Sequence, residues 1–340
     1  MKLFRIFLPV CCCLAVWFSL SSCRNSGNPD VSDVSIPFQS YAFYKDFSDL
    51  DTNHLQSGIT KLKTQYPEFL DIYLDQLSGI STKGNYTDTS HLLSFLTHPD
   101  FKALFQTVAQ KFPDTKAQDA ALKKMLQHIR YYDSSIVLPE KVYYYAAGLN
   151  YAATLLPGNT LGIGLDMFLG RDFPPYEQVN IPYYLTIRNT PENIPIAAAQ
   201  VIYENKYPFS FEDQNLLQLM IAKGKEAFFL KKILPGSQEA LFFLFTEEQM
   251  QWCEKNEALI YNYFLQNDLL YETNGQKIYR YLNDAPTSTG MPPESPGNTA
   301  VYIGYKIVQS YARNTGKSLK EILAENDARA ILDAAGYKPR

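Results

Sequence analysis

The chain has 340 residues, of which 46% are hydrophobic, so it can bury a sizeable core in one or two domains. Its formal net charge of -4 comes from 31 basic and 35 acidic residues, and no cluster of lysine and arginine stands out. Nucleic-acid binding therefore has no electrostatic support, and we expect no nucleic-acid partner.

The N-terminus resembles the signal peptide of a bacterial lipoprotein. Lys2 and Arg5 precede an apolar run over 7–20 that is too short to span a bilayer comfortably. The run ends in Leu-Ser-Ser-Cys, which places Cys23 where such precursors are cleaved and acylated, with palmitate among the usual chains. The sequence predicts a signal peptide over 1–22 and a lipid anchor on Cys23, because two or more acyl chains hold a protein on a membrane. An ordinary signal peptide or an uncleaved anchor is the alternative.

The mature chain would keep a single cysteine. Residues 11–13 are cysteines that leave with the signal peptide, and Cys23 would be acylated, which leaves Cys253 and no intramolecular disulfide. Trp252 precedes Cys253 within a helical pattern. This context favours a buried structural thiol over a reactive one.

The pattern of the chain predicts a tether followed by one domain. Residues 23–36 are polar and rich in turn formers, as in a linker between lipid and domain. Residues 37–340 predict a single α+β domain that is dominated by helices and contains a small β-sheet. Within it, 37–132 has helical periodicity, and 133–340 combines the sheet with further helices.

Strand patterns follow residue 132. The runs "SSIVLPEKVYYYAAG" and "NTLGIGLDMFLG" are β-branched or aromatic and are bounded by Gly, Pro and Asn, which predicts strands. The later runs "EDQNLLQLMIAKGKEAFFLKKILPG" and "TEEQMQWCEKNEALIYNYFLQNDLL" predict helices, the second with Thr246 and Gln249 spaced as a capping box. The 25 tyrosines and 21 phenylalanines indicate half-buried structure. A glycan-binding surface, with coplanar aromatic side chains in an exposed groove, is the alternative.

The stretch "IPIAAAQVIYENKYPF", residues 194–209, predicts a short helix that carries the first candidate site. Pro195 opens it, and Gln200 and Glu204 lie one turn apart on one face, the spacing with which HExxH presents two metal ligands. Val201 stands where the general base would be, and an apolar side chain cannot accept a proton from water.

The ligand and nucleophile patterns of common enzymes are missing. All four histidines lie before residue 130, none at ligand spacing, and zinc rarely binds carboxylates alone. The sequence also has no GxSxG elbow and no complete nucleotide-binding loop. We therefore predict no catalytic residue, no metal and no cofactor, although chance pairs of carboxylates leave a hydrolase open.

The loop "PPESPGN" precedes a helix that begins near Thr299. Ser295, Gly297 and Asn298 lie in it, and free N–H groups at a helix N-terminus can bind an anion or a partner. The simpler interpretation is a Pro/Gly loop that positions the last helices.

Several blocks in the same order are similar to the gliding-motility lipoprotein GldB family of Bacteroidota. They are the lipobox and the segments "QYPEFLDIY", "LDMFLGRDFPPY", "MIAKGKEAFFLKKILPG", "WCEKNEALIYNYFLQNDLLY", "ESPGNTAVYIGYKIVQSY" and "YKPR". The resemblance runs along nearly all of the mature chain, roughly over residues 37–338. The resemblance implies a membrane-anchored lipoprotein of the gliding apparatus or, in a species that does not glide, of envelope assembly or secretion. Its partners would be envelope proteins.

That family is distantly similar to predicted HExxH zinc peptidases, which implies a zincin-like core. On their motifs, Gln200 and Glu204 replace the two histidines, Val201 replaces the base, and Lys223, before Gly224, replaces the third ligand. Peptidase chemistry would be lost, and we hypothesise that Glu204 and Lys223 form an ion pair in place of the metal.

The sequence therefore predicts a protein-binding lipoprotein without enzymatic activity. Arg24 after the cysteine is not the Asp of inner-membrane retention, so we expect the periplasmic face of the outer membrane. The alternative is an envelope hydrolase acting on peptide or cell wall. A water-accessible cleft with two converging carboxylates favours the hydrolase, and a filled core around Gln200, Glu204 and Lys223 favours binding alone.

Overall fold

A computed structural model describes residues 28–80 and 88–339. The predicted signal peptide and Cys23 lie outside the described residues. The described residues from Val31 onward belong to one compact unit. Val31 is buried, and the Val34 carbonyl accepts a hydrogen bond of 2.9 Å from the Gln127 side chain, so the end of the predicted tether contacts the fold.

The first part of the fold is mainly helical, as predicted. Its helices are α1 (Phe43–Ser48), α2 (Leu55–Gln65), α3 (Phe69–Ile72), α4 (Ser90–Thr97), α5 (Pro99–Lys111) and α6 (Lys116–Tyr132). Each of the longer helices buries one apolar stripe, for example Leu55, Ile59 and Leu62 on α2. A π-helical turn, Tyr73–Leu77, continues α3.

Four short strands form one mixed sheet. They are β1 (Gln39–Tyr41), β2 (Lys141–Tyr145), β3 (Ala153–Leu156) and β4 (Thr160–Gly164), in the order β1-β2-β4-β3. β2 is parallel to β1 and β4, whereas β3 is antiparallel to β4 and lies at one edge of the sheet. All five residues of β4 are buried, as expected for a strand covered on both faces.

The second predicted strand run ends earlier than expected. β4 stops at Gly164, and Leu165–Phe168 form a 3₁₀ helix. The buried Asp166 carboxylate accepts hydrogen bonds from the backbone N–H groups of Ala147, at 3.0 Å, and Leu149, at 2.7 Å. These bonds tie the chain to the turn after β2 and so divert it from the sheet.

The rest of the described chain supplies further helices. They are α7 (Pro175–Gln178), α8 (Ile194–Lys206), α9 (Leu216–Ile233), α10 (Glu247–Lys255), α11 (Glu257–Gln266), α12 (Gly275–Ile278), α13 (Thr299–Thr315), α14 (Leu319–Ala324) and α15 (Ala328–Ala335). The predicted capping box of α10 is confirmed, since Thr246 accepts from the Gln249 N–H and the Gln249 side chain accepts from the Thr246 N–H. The predicted α+β class with a small sheet is confirmed.

α9 is the central helix and packs closely against α13. A Cβ on Gly304 would lie 1.8 Å from the Met220 carbonyl oxygen, and one on Gly224 would lie 2.2 Å from the Gly304 carbonyl carbon. Only glycine permits this approach of the two backbones. It fixes the position of the polar residues that flank Gly224. Within the described ranges, no helix is long and apolar enough to cross a membrane.

Candidate functional site

A cavity of about 420 Å³ opens between α8 and α9. Ile196, Ala197, Gln200, Val201 and Glu204 of α8 line one wall, and Lys223, Glu226 and Ala227 of α9 line another. Residues before and in β3, the 3₁₀ helix Glu239–Phe243 and the loops around residues 188 and 284 complete it. We call this cavity the cleft. All four residues predicted for the degenerate metal site lie along it.

A polar network centred on Glu226 lies in the cleft. Glu226 Oε1 accepts a hydrogen bond from Gln200 Nε2 at 3.1 Å, and Oε2 pairs with Lys223 Nζ at 2.9 Å. The Glu226 side chain is only 10% exposed and that of Lys223 is 28% exposed. Each carboxylate oxygen therefore has a partner supplied by the chain, and one of those partners is a cation.

The predicted ion pair between Glu204 and Lys223 is wrong, because Lys223 pairs with a different glutamate. Lys223 pairs with Glu226, three residues further along α9, and Glu204 has no ion pair within 4.0 Å among the residues the structure describes. Glu226 was not predicted, because it lies outside the positions that match the peptidase motif. The i, i+3 spacing of Lys223 and Glu226 on a helix was the available signal.

Glu204 is an exposed carboxylate whose pKa is raised. Partial burial against the cleft wall raises the pKa most, the negative charge of Glu226 raises it further, and Lys223 lowers it. Glu204 and Glu226 thus lie near each other in one open cavity. An open cleft with two carboxylates is what we expect of a hydrolase, and the core filled with side chains that we expect for binding alone is absent from this part of the described structure. Glu226 is, however, already held by Lys223 and Gln200, so in the described structure Glu204 is the one of these two carboxylates without an ion pair.

A second pair of charged side chains also lines the cleft. Arg188 Nη2 pairs with Asp284 Oδ2 at 2.6 Å, and Asp284 Oδ1 accepts a hydrogen bond from Asn298 Nδ2 at 2.8 Å. Asn189, next to Arg188, is buried, and its side-chain amide forms no hydrogen bond in the described structure. The nearby Tyr176 hydroxyl is already engaged, since it donates to the Asp166 carbonyl and accepts from the Leu169 N–H.

The loop predicted as an anion or partner site is largely internal. Ser295 is fully buried, and the Gly297 N–H donates to the Ala285 carbonyl at 3.0 Å. Asn298 precedes α13 with a left-handed backbone and lines the cleft. These contacts fit the simpler interpretation of a loop that positions the last helices, while anion binding remains a prediction.

Cys253 is fully buried, and burial raises the pKa of its thiol to about 12. The structural interpretation of this cysteine is thereby confirmed. Among histidines, His128 is buried while His54, His91 and His98 are exposed. The described ranges contain no group of three or more His, Cys, Asp or Glu residues that could hold a metal ion.

The fold and the cleft define a helix-dominated α+β protein with a charged, helix-lined cavity. A family model described as gliding motility protein GldB matches residues 24–339, and the chain belongs to that family. Neither the search of curated proteins nor the search of solved structures gives a match.

Proposed function

We propose that this chain is a lipid-anchored envelope protein of the gliding-motility machinery, and that it acts by binding another protein in the cleft. The family match supports a part in gliding motility, and it begins at residue 24, directly after the predicted acylated Cys23. The anchor would hold the domain at the periplasmic face of the outer membrane.

The observation that carries the binding function is the arrangement around Glu226. In the proposed zincin-like ancestry, α8 and α9 would have held a metal between them. Here the ammonium of Lys223 supplies the positive charge to one carboxylate oxygen of Glu226, and the Gln200 amide donates a hydrogen bond to the other. Val201, at the position of the base, lines the same cleft and offers no proton acceptor. The cleft stays open but its polar centre is satisfied internally.

The experiment that tests this proposal is crosslinking in cells through the cleft. A photoreactive residue replaces Ala197, which lines the cleft, or Ala109, which is exposed on α5 away from it. We expect the photoreactive residue at position 197 to form a crosslink to one envelope protein and the one at position 109 to form none. In parallel, Ala197→Trp should fill the cleft and abolish gliding at normal protein level, whereas Ala109→Trp should not. Equal crosslinking at both positions, together with normal gliding of Ala197→Trp, would contradict the proposal.

A second candidate function rests on the open cleft and its two carboxylates. Glu204 has a raised pKa and no ion pair among the described residues, as a general acid often has. An envelope hydrolase would use Glu204 on peptide or cell-wall substrates. Turnover of such substrates by the purified chain, lost in Glu204→Gln, would establish this function in place of binding alone.

A further inference from the structure

Glu204 is the only charge of the cleft that the described structure leaves uncompensated. Five charged side chains line the cavity: Arg188, Glu204, Lys223, Glu226 and Asp284. Lys223 pairs with Glu226, and Arg188 pairs with Asp284. Glu204 is therefore the one of the five without an ion pair in the described structure. A ligand that fits this cavity electrostatically therefore brings one positive charge to Glu204.

The first residue of an edge strand lies in the same cavity, and the rest of that strand leads away from it. β3 is an edge strand, and its residue Ala153 lines the cleft. The Gly164 N–H donates to the Ala152 carbonyl at 3.0 Å, so these two residues form a hydrogen-bonded antiparallel pair. Because such pairs alternate along the ladder, the backbone groups of Ala153 and Leu155 point away from β4. Neither residue has another backbone partner in the described structure.

The cavity also continues past Glu204. Glu204, Lys223 and Glu226 line a second cavity of about 560 Å³, whose far wall includes Phe209 and Phe211. These two rings are 38% and 37% exposed. The two cavities adjoin along the shared side chains, so there is room for a chain segment rather than for a single small cation.

We propose that the cleft binds an extended segment of a partner protein, which pairs with the open edge of β3 and places a lysine or arginine side chain against Glu204. Strand addition satisfies the free N–H and C=O groups of Ala153 and Leu155, and the basic side chain compensates the remaining charge. This inference rests on the proposed function and adds the chemistry of the partner. The apolar residues that flank the basic one would contact Phe209 and Phe211.

Selection from a random peptide library displayed on phage tests the charge requirement, with the purified full chain in detergent as the target. We expect enriched peptides to share one lysine or arginine between apolar residues. Against Glu204→Lys, the same library should enrich aspartate or glutamate at that position. Glu254→Lys, a reversal of an exposed carboxylate on α10, is the matched control and should select the same peptides as the unchanged chain.

Proline substitution tests the strand edge with a synthetic copy of the best peptide. Ala153→Pro removes an N–H that faces away from β4 and keeps the ladder to β4, so the fold should be retained. We expect its affinity for the peptide to fall at least about tenfold, while the thermal unfolding midpoint changes little. N-methylation of alternate peptide amides should cause a similar loss in one of the two registers.

Three results would overturn the inference: no enriched peptide, a preference that Glu204→Lys does not reverse, or unchanged affinity in folded Ala153→Pro. Each is separable from the proposed function. If Ala197→Trp abolishes gliding but no basic peptide is selected, the binding function stands and the partner chemistry is wrong. If basic peptides bind but Ala197→Trp glides normally, the cleft binds peptide and its part in gliding is wrong.

Discussion

In the Glu226 network, both carboxylate oxygens of a mostly buried side chain have a partner. Removing Lys223 would leave a mostly buried carboxylate with one neutral partner, Gln200. The energetic cost of such an orphaned group is larger than the net contribution of the pair, because the desolvation of the remaining charge is no longer offset. This asymmetry can be measured.

We expect Lys223→Met to lower the free energy of unfolding by about 1–3 kcal/mol. The double variant Lys223→Met, Glu226→Gln should regain most of that loss, since neither charge is then present. Urea unfolding of both variants provides the measurement, with Lys102→Met on the exposed face of α5 as the control. A double variant as unstable as Lys223→Met would show that the loss of stability does not come from the unpaired charge of Glu226.

His128 is a second residue whose burial has a measurable consequence. It is 1% exposed on α6, neither ring nitrogen has a hydrogen bond in the described structure, and burial, with a smaller effect of Lys124, lowers its pKa from 6.5. Below pH 6.5 the unfolded chain therefore binds a proton that the folded chain does not. The linked loss of stability grows as the pH falls toward the lowered pKa, at no more than about 1.4 kcal/mol per pH unit.

We predict that His128→Leu removes this part of the acid sensitivity. The free energy of unfolding should fall less steeply between pH 6.5 and pH 5 than in the unchanged chain. Urea unfolding at a series of pH values measures the slope, and the exposed His91 gives the control, His91→Leu. Equal slopes in all three proteins would contradict the assignment.

Among the elements, the contact of α9 with α13 is the one that positions the cleft. Both backbones touch at Gly224 and Gly304, so the helix that carries Lys223 and Glu226 has little freedom to shift. A side chain at this contact would have to separate the helices, and cores accommodate such overpacking poorly. The cleft should therefore be sensitive to changes at a position outside it.

We expect Gly304→Ala to lower the free energy of unfolding by about 3 kcal/mol, because its Cβ would meet the backbone of Met220. Gly236→Ala is the matched control, since a Cβ there meets nothing within 4 Å and the backbone does not need a positive φ. Thermal and urea unfolding measure both. A Gly304→Ala protein as stable as the control would show that the helices can separate at little cost.

At the scale of the whole molecule, the predicted lipid anchor and the folded domain lie in different parts of the chain. The domain reaches from Val31 onward, and no helix of its described part could span a membrane, whereas Cys23 lies outside the described residues. In our proposal, the acyl chains of Cys23 attach the protein to the membrane.

We expect Cys23→Ser to abolish labelling by radioactive palmitate and to release the protein from the membrane fraction. Labelling and fractionation of cells measure this, and Cys253→Ser is the control, because the Cys253 thiol is buried and should not be acylated. Retained labelling in Cys23→Ser would place the lipid elsewhere.

Local pattern alone was enough to predict most elements of this fold. The capping box at Thr246, the apolar stripes of the first helices and the aromatic run of β2 each depend on residues a few positions apart, so they can be recognised in the sequence. β1 and β3 were not predicted. Three- and four-residue strands carry little pattern, and β1 forms only because β2, far along the chain, pairs with it.

The resemblance to the HExxH peptidase motifs also predicted one shared site for four residues, and all four line the cleft: Gln200, Val201, Glu204 and Lys223. Their partners were decided by tertiary structure. Which carboxylate Lys223 meets depends on the rotation and spacing of α8 and α9, which the glycine contact with α13 constrains. A sequence specifies residue types and local spacing, whereas pairing between helices and the open space between them follow from packing of the whole domain.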